Sequence, residues 1–223
     1  MKDVWNLDVI YKGFDDPAFA ADMEALDAKT REAFLTGMRR TVRQLDKHPC
    51  VVGWTIFNEG WGQFDADAAY RRLRALDDSR IIDTASGWFR PKKSDFESEH
   101  IYFKPIKLKS KLKAPLFLSE FGGYSYKISD HSFNLSKTYG YKKFDEQKSF
   151  VLAMQNLYEN EVLPAVKNGL SAAVLTQVSD VEDETNGILT YDRQVQKLGV
   201  DDLKPIFDKI SEEFENLYAP FKP

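Results

Sequence analysis

Five short apolar runs punctuate the chain: Val51–Asn58 (VVGWTIFN), Arg80–Trp88 (RIIDTASGW), His100–Phe103 (HIYF), Pro115–Glu120 (PLFLSE) and Leu170–Val178 (LSAAVLTQV). Their lengths, and the lack of a polar alternation, read as strands buried on both faces, as in a parallel sheet. Stretches of helical spacing lie around them. Residues 28–47 carry Phe34, Met38, Val42 and Leu45 on one face, and His48-Pro49 stops this helix because proline disfavours helix at the residue before it. Asp65 is positioned to cap a helix through Asp77 with Ala69, Leu73 and Leu76 facing inward. Residues 145–167 form another helix, kinked at Pro164 and stopped at Gly169. The last helix has the cleanest stripe, with Leu203, Ile206, Phe207, Ile210, Phe214 and Leu217. ILTYDR, after the charged loop SDVEDETNG, reads as a short extension, and a long polar, aromatic-rich loop runs from Gly122 to Tyr141.

Strands alternating with helices predict an α/β fold with a parallel sheet and right-handed crossovers. A closed barrel of this type has eight strands and typically about 250 residues. The 223 residues supply five strands, and the shortfall lies at the front of the chain. No repeat, linker or low-complexity tract divides residues 1–223, so a single domain is expected. Five parallel strands leave two edges and a half-open inner face, which predicts a homo-oligomer or marginal stability alone.

Composition narrows the partners. The chain has 31 basic and 35 acidic side chains, with no basic excess to recruit nucleic acid. No run approaches the roughly 20 apolar residues of a membrane helix. MKDVWNLDVI has neither the basic start nor the apolar core of a secretory signal, and the lone cysteine, Cys50, excludes an internal disulfide. Both observations fit the cytoplasm.

Two strands end in a carboxylate followed by glycine and aromatic residues: Asn58-Glu59 in VVGWTIFNEGWGQ and Glu120 in APLFLSEFGGYS. The C-terminal end of a strand is where α/β barrels keep their chemistry. Two such carboxylates suggest one site drawn from two strands, the layout of a glycosidase pair. An isolated acidic residue at a strand end is more often a solvated loop charge; the pairing is what changes the reading. No Gly-rich phosphate loop, zinc-ligand spacing or Ser-His-Asp order is present, and neither a metal nor a cofactor is expected.

The motifs HPCVVGWTIFNEGWGQFDA, DTASGW, SEHIYF, PLFLSEFGGYS, HSFNLSKTYGYKKF and TQVSDVEDETNGILTYDR, in that order, resemble glycoside hydrolase family two, the β-galactosidase and β-glucuronidase family. The resemblance implies a partial TIM (β/α)8 barrel, strands four to eight with their helices, from the C-terminal part of a larger enzyme. It implies a retaining β-glycosidase of β-galactosidase-like character acting on a carbohydrate. Glu59 would be the acid/base and Glu120 the nucleophile. Asn58 would bind the sugar 2-hydroxyl and Tyr102 would hold the nucleophile; His100, two residues before Tyr102 on the same strand face, is placed to line the sugar pocket. Strands one to three and upstream domains would be the missing partners, so the fragment alone is expected to be weak or inactive. Gln177 departs from the pattern, because many members of the clan have a sugar-stacking tryptophan there.

Several other residues have two readings. Trp61 and Trp88 are either sugar-stacking platforms or ordinary rim aromatics. Asp180, Glu182, Asp183 and Glu184 are a solvated acidic loop or, less simply, a cation or outer-sugar site. The Gly122-Gly123 pair lets the chain turn sharply after Glu120. A rival reading of the whole chain is a non-catalytic half-barrel that binds sugar or associates with itself.

Overall fold

The computed structural model of the protein describes residues 16–108 and 114–219. Helix α1 (Pro17–Leu45) starts well before residue 28, because Asp16 caps it by accepting a hydrogen bond from the Ala18 amide at 2.9 Å and Pro17 is pre-set for the first turn. Of its expected inward face only Val42 is buried. Phe34 stays 37% exposed and stacks on Phe57 with centroids 5.2 Å apart.

Strand β1 (Gly53–Asn58), helix α2 (Ala66–Arg74) and strand β2 (Ile81–Ser86) follow. Asp65 does not cap α2 with its side chain. Its backbone is left-handed (φ 37°), and its carboxylate takes a hydrogen bond from Arg31 at 3.2 Å instead. Leu76 lies beyond the end of α2 and is exposed, whereas Ala69 and Leu73 are buried as expected.

Strand β3 (Glu97–Ile101) begins earlier than its sequence run and leaves Tyr102 just past its end. Strand β4 (Leu116–Gly122) is followed at once by a small parallel pair, β5 (Tyr124–Tyr126) and β6 (Lys142–Phe144), within the long loop. Gly122 and Gly123 both have positive φ, 86° and 62°, which is the sharp turn expected after Glu120. The helical stretch divides into α3 (Gln147–Leu157), a π-turn over Tyr158–Val162 and α4 (Leu163–Lys167). The break precedes Pro164 because the proline ring disturbs the carbonyl four residues back, at Asn160 inside the π-turn. Strand β7 (Leu170–Thr176) and helix α5 (Val200–Tyr218) complete the order. ILTYDR makes only isolated bridges, Ser179 to Leu189 and Leu189 to Gln196.

The fold is α/β, part of a TIM barrel that is not closed. β1 pairs with β2, and β3, β4 and β7 form a second sheet in that order, all parallel. Side chains rather than a ladder bridge the seam between β2 and β3: the Ser98 hydroxyl donates to Asp83 at 2.9 Å, and Ser86 meets His100 at 3.0 Å. Among the described residues β1 and β7 each pair on one side only. The helices cover the outer face. Val42, Trp54, Leu73 and Ile82 form one apolar cluster, and a larger one joins Leu118 and Phe121 of β4 to Phe150, Met154, Val166, Leu203 and Ile206. Aligned strands thereby present all their C-terminal ends to one side.

Asp77 anchors the β1–β2 end opposite that side. The Trp54 indole donates to it at 2.8 Å, the Ser79 hydroxyl at 2.7 Å and the Arg80 guanidinium at 2.9 Å. Burial pushes this carboxyl up, but the bonds from Ser79, Trp54 and Arg80 outweigh it and hold Asp77 well below the ordinary carboxylate range.

Candidate active site

Strands β1, β2, β3, β4 and β7 deliver polar groups at or near their C-terminal ends. β1 runs into Glu59, whose backbone adopts a left-handed φ of 53° while its amide donates to the Ser86 carbonyl at 3.0 Å. β2 ends in Ser86 itself. β3 carries His100, directly opposite Glu120 in the β3–β4 register, where a bulge between Glu99 and His100 re-aims the strand. Tyr102 follows β3, and Thr176 ends β7.

These groups converge. His100 Nδ1 is 2.8 Å from Glu59 Oε1 and 3.4 Å from Glu120 Oε2. On the other side of the ring, Nε2 meets the Ser86 hydroxyl at 3.0 Å. The ring is fully covered. It sits against Gly87, whose φ of 83° and tight packing exclude a side chain: a Cβ there would lie 2.6 Å from the His100 ring. The Tyr102 hydroxyl donates to Glu120 Oε2 at 2.6 Å and lies 2.8 Å from Thr176 Oγ1. Burial pushes the Tyr102 phenol well above its ordinary pKa, and its bond to Glu120 pushes it further. The phenol therefore keeps its proton and remains a donor.

One oxygen each of Glu59 and Glu120, together with His100 Nδ1, lie within 4.8 Å of one another. Three such donors also have the spacing of a cation site; one hydrogen bond, between His100 and Glu59, links two of them. Beneath them Asp83 is buried, and burial pushes its carboxyl up against the lowering effect of Ser98, Ser86 and His100. Its Oδ1 has no partner among the described residues.

Glu59, Tyr102 and Glu120 line a cavity of about 430 Å³. The remaining expected residues stand differently. Asn58 is exposed at the end of β1, and its carbonyl accepts from the Trp61 amide at 3.0 Å. Trp61 is 81% exposed and Trp88 47%, the latter tilted toward His100 at 6.4 Å. His100 lies behind the two glutamates.

Sequence reasoning passed over Tyr139, Tyr141 and Asn186, which complete the cavity wall with Gln177 and Glu184. Tyr141 stacks on Tyr102 with centroids 4.0 Å apart. The alternation of tyrosine and glycine in TYGY was the available signal, with Gly140 packed against Ser125. Gln177, joined to Thr176 by a cis peptide, donates to Glu184 at 2.9 Å and to Asn186 at 2.7 Å.

The acidic loop is not uniformly solvated. Asp180 is buried and grips the fully buried Lys197 ammonium through both oxygens, at 2.6 and 2.8 Å. Burial raises the Asp180 carboxyl and lowers the Lys197 ammonium, each opposed by the other's charge. His131 pairs with Asp192 at 2.7 Å and with Thr190 holds that carboxyl at about 2.

With this geometry in hand, the chain can be set beside known proteins. Residues 8–210 match the family model described as glycosyl hydrolases family 2, TIM barrel domain. No curated protein matches the sequence. Among solved structures, a putative β-galactosidase from Bacteroides fragilis is similar over 82% of this chain and 31% of its own, with 15% identity and a TM-score of 0.52. A β-D-glucuronidase from Dictyoglomus thermophilum is similar over 82% of this chain and 36% of its own, with 18% identity and a TM-score of 0.57. The chain thus spans about a third of the length of either protein, and at these identities the likeness establishes the fold. The family match carries more: this chain belongs to glycoside hydrolase family two, within its TIM-barrel domain.

Proposed function

We propose that the chain carries the catalytic pair of a retaining β-glycoside hydrolase of β-galactosidase-like character, with Glu59 as acid/base and Glu120 as nucleophile. The observation that best supports this is the separation of the pair. One oxygen of each carboxylate lies within 4.8 Å of one oxygen of the other, a nearest-atom spacing on the compact side of the two known geometries. Retaining enzymes hold their carboxyl groups about 5–5.5 Å apart, and inverting ones about 6.5–9.5 Å to admit a water between them.

In the first step Glu59 gives its proton to the glycosidic oxygen, the aglycone departs as an alcohol, and a Glu120 oxygen bonds to C1. In the second step Glu59 takes a proton from water, the hydroxyl oxygen bonds to C1, and Glu120 is released as carboxylate. The Tyr102 hydrogen bond to Glu120 at 2.6 Å fixes the oxygen that attacks. His100 Nδ1 holds Glu59 by a 2.8 Å hydrogen bond and stands 3.4 Å from Glu120. Asn58 would take the sugar 2-hydroxyl, a contact that strengthens toward the transition state, and Trp61 and Trp88 would flank the mouth as stacking surfaces.

A second reading, a half-barrel without catalysis of its own, draws on the open arc. Apolar Val52, Val174 and Val178 are 72%, 49% and 68% exposed beside the unpaired edges. We therefore propose residues 1–223 as one domain whose carboxylates work fully only when other strands or a second copy cover β1 and β7. The exposed free thiol of Cys50 suits the cytoplasm. No described helix is long and apolar enough to cross a membrane.

The test is hydrolysis of chromogenic β-glycosides by the complete gene product and by Glu120→Gln. Activity in the first and its loss in the second are expected; equal activity in both removes Glu120 from the mechanism. Light scattering of the isolated 223 residues should show an oligomer or a low melting temperature. A heat-stable monomer contradicts the need for cover.

A further inference from the structure

We infer that Glu184 is a specificity residue that makes the cavity select neutral glycosides and reject uronides, an inference that rests on the glycosidase reading above. Glu184 lies in the loop after β7, far from both catalytic strands in sequence, yet it lines the same 430 Å³ cavity as Glu59 and Glu120. That gives the cavity three carboxyl groups, while its lining among the described residues includes no lysine, arginine or histidine. The Lys197 ammonium, which bonds the carbonyl of the adjacent Thr185, is fully buried and spent on that carbonyl and on Asp180.

The Glu184 carboxylate is also fixed in place. Gln177 donates to its Oε2 at 2.9 Å and to Asn186 Oδ1 at 2.7 Å, so one amide clamps two neighbours of the wall. Asn186 is itself 3% exposed, which anchors the clamp in the interior. A fixed carboxylate accepts hydrogen bonds from sugar hydroxyls and repels a sugar carboxylate. A glucoside and a glucuronide with the same aglycone differ only at C6, a hydroxymethyl in one and a carboxylate in the other. The wall therefore distinguishes them at C6, where a hydroxyl can donate to a fixed carboxylate and a carboxylate is repelled by it.

Calorimetric titration of the complete gene product with methyl β-D-glucopyranoside, methyl β-D-galactopyranoside and methyl β-D-glucuronide tests this. At low salt a neutral glycoside should bind about tenfold or more tighter than the glucuronide, and the ratio should shrink as salt rises. Glu184→Gln, which keeps an oxygen for Gln177, should bring the ratio toward one, and Glu184→Lys should invert it. Should either variant fail to fold, the salt dependence of the unaltered protein decides the matter. A glucuronide bound as tightly as the neutral sugars, or a ratio unmoved by Glu184→Gln, overturns this inference alone. Failure of all three sugars to bind overturns it together with the glycosidase reading.

Discussion

Replacing Lys197 with methionine removes a charge from one of the most enclosed points of the molecule. The Lys197 side chain is fully covered and that of Asp180 is 1% exposed. All three ammonium hydrogens are engaged, two by Asp180 at 2.6 and 2.8 Å and one by the Thr185 carbonyl at 3.0 Å. Methionine fills a similar volume, so the cost arises from what is left behind: an aspartate whose one remaining bond is from the Gly187 amide at 2.9 Å. Stranding a buried charge in this way costs about 3–5 kcal/mol. For a chain of this size that lowers the melting temperature by about 10 °C.

Adding Asp180→Asn removes the stranded charge and keeps an oxygen for Gly187. The double variant should therefore recover more than half of the loss, because a buried pair contributes little net stability while an unpaired partner costs much. The sign of the pH dependence is also fixed. Burial holds Asp180 above its unfolded pKa, more so once Lys197 is gone, so the folded form of the single variant binds the extra proton. Its stability should be greatest below about pH 4 and fall as pH rises through the folded pKa. Urea unfolding at pH 5 and pH 7 reads both effects. A single variant within 1 kcal/mol of the parent, on the order of the error of such measurements, or a double variant no better than the single, refutes the reasoning.

Tyr102→Phe removes the 2.6 Å donor to Glu120 and leaves the stack on Tyr141, so kcat should fall about 10- to 100-fold with little change in melting temperature; unchanged kcat with a lowered melting temperature would make Tyr102 structural. Asp77→Asn should cost stability at neutral pH, because Asp77 is held below its unfolded pKa and stabilises the fold when ionised. That contribution is present above about pH 4 and lost as pH falls below it, so parent and variant should converge on acidification in thermal melts; a constant gap contradicts it.

The strands and the carboxylate pair were legible because buried parallel strands must be continuously apolar, so an acidic residue closing such a run stands out at Glu59 and Glu120. The outer helices were legible as stripes for the same reason. What escaped depends on contacts that carry no local pattern. Asp65 has cap chemistry, but a left-handed backbone and the distant Arg31 take it elsewhere. Asp180 sits in an acidic run that reads as solvated, and only Lys197, seventeen residues on, explains its burial. The break before Pro164 follows from a backbone carbonyl four residues back, not from the proline's own position. His100 was expected to line the pocket from its strand face, but its place behind the glutamates depends on the bulge at Glu99/His100 and the side-chain seam to Ser86.

The claim that Glu59 and Glu120 form a retaining pair is tested most directly by trapping the covalent intermediate. The complete gene product, incubated with a 2-deoxy-2-fluoro-β-galactosyl fluoride and digested for peptide mass spectrometry, should gain one fluorosugar on Glu120, with none in Glu120→Gln. An active protein that releases inverted product without labelling, or one labelled at another residue, contradicts the account.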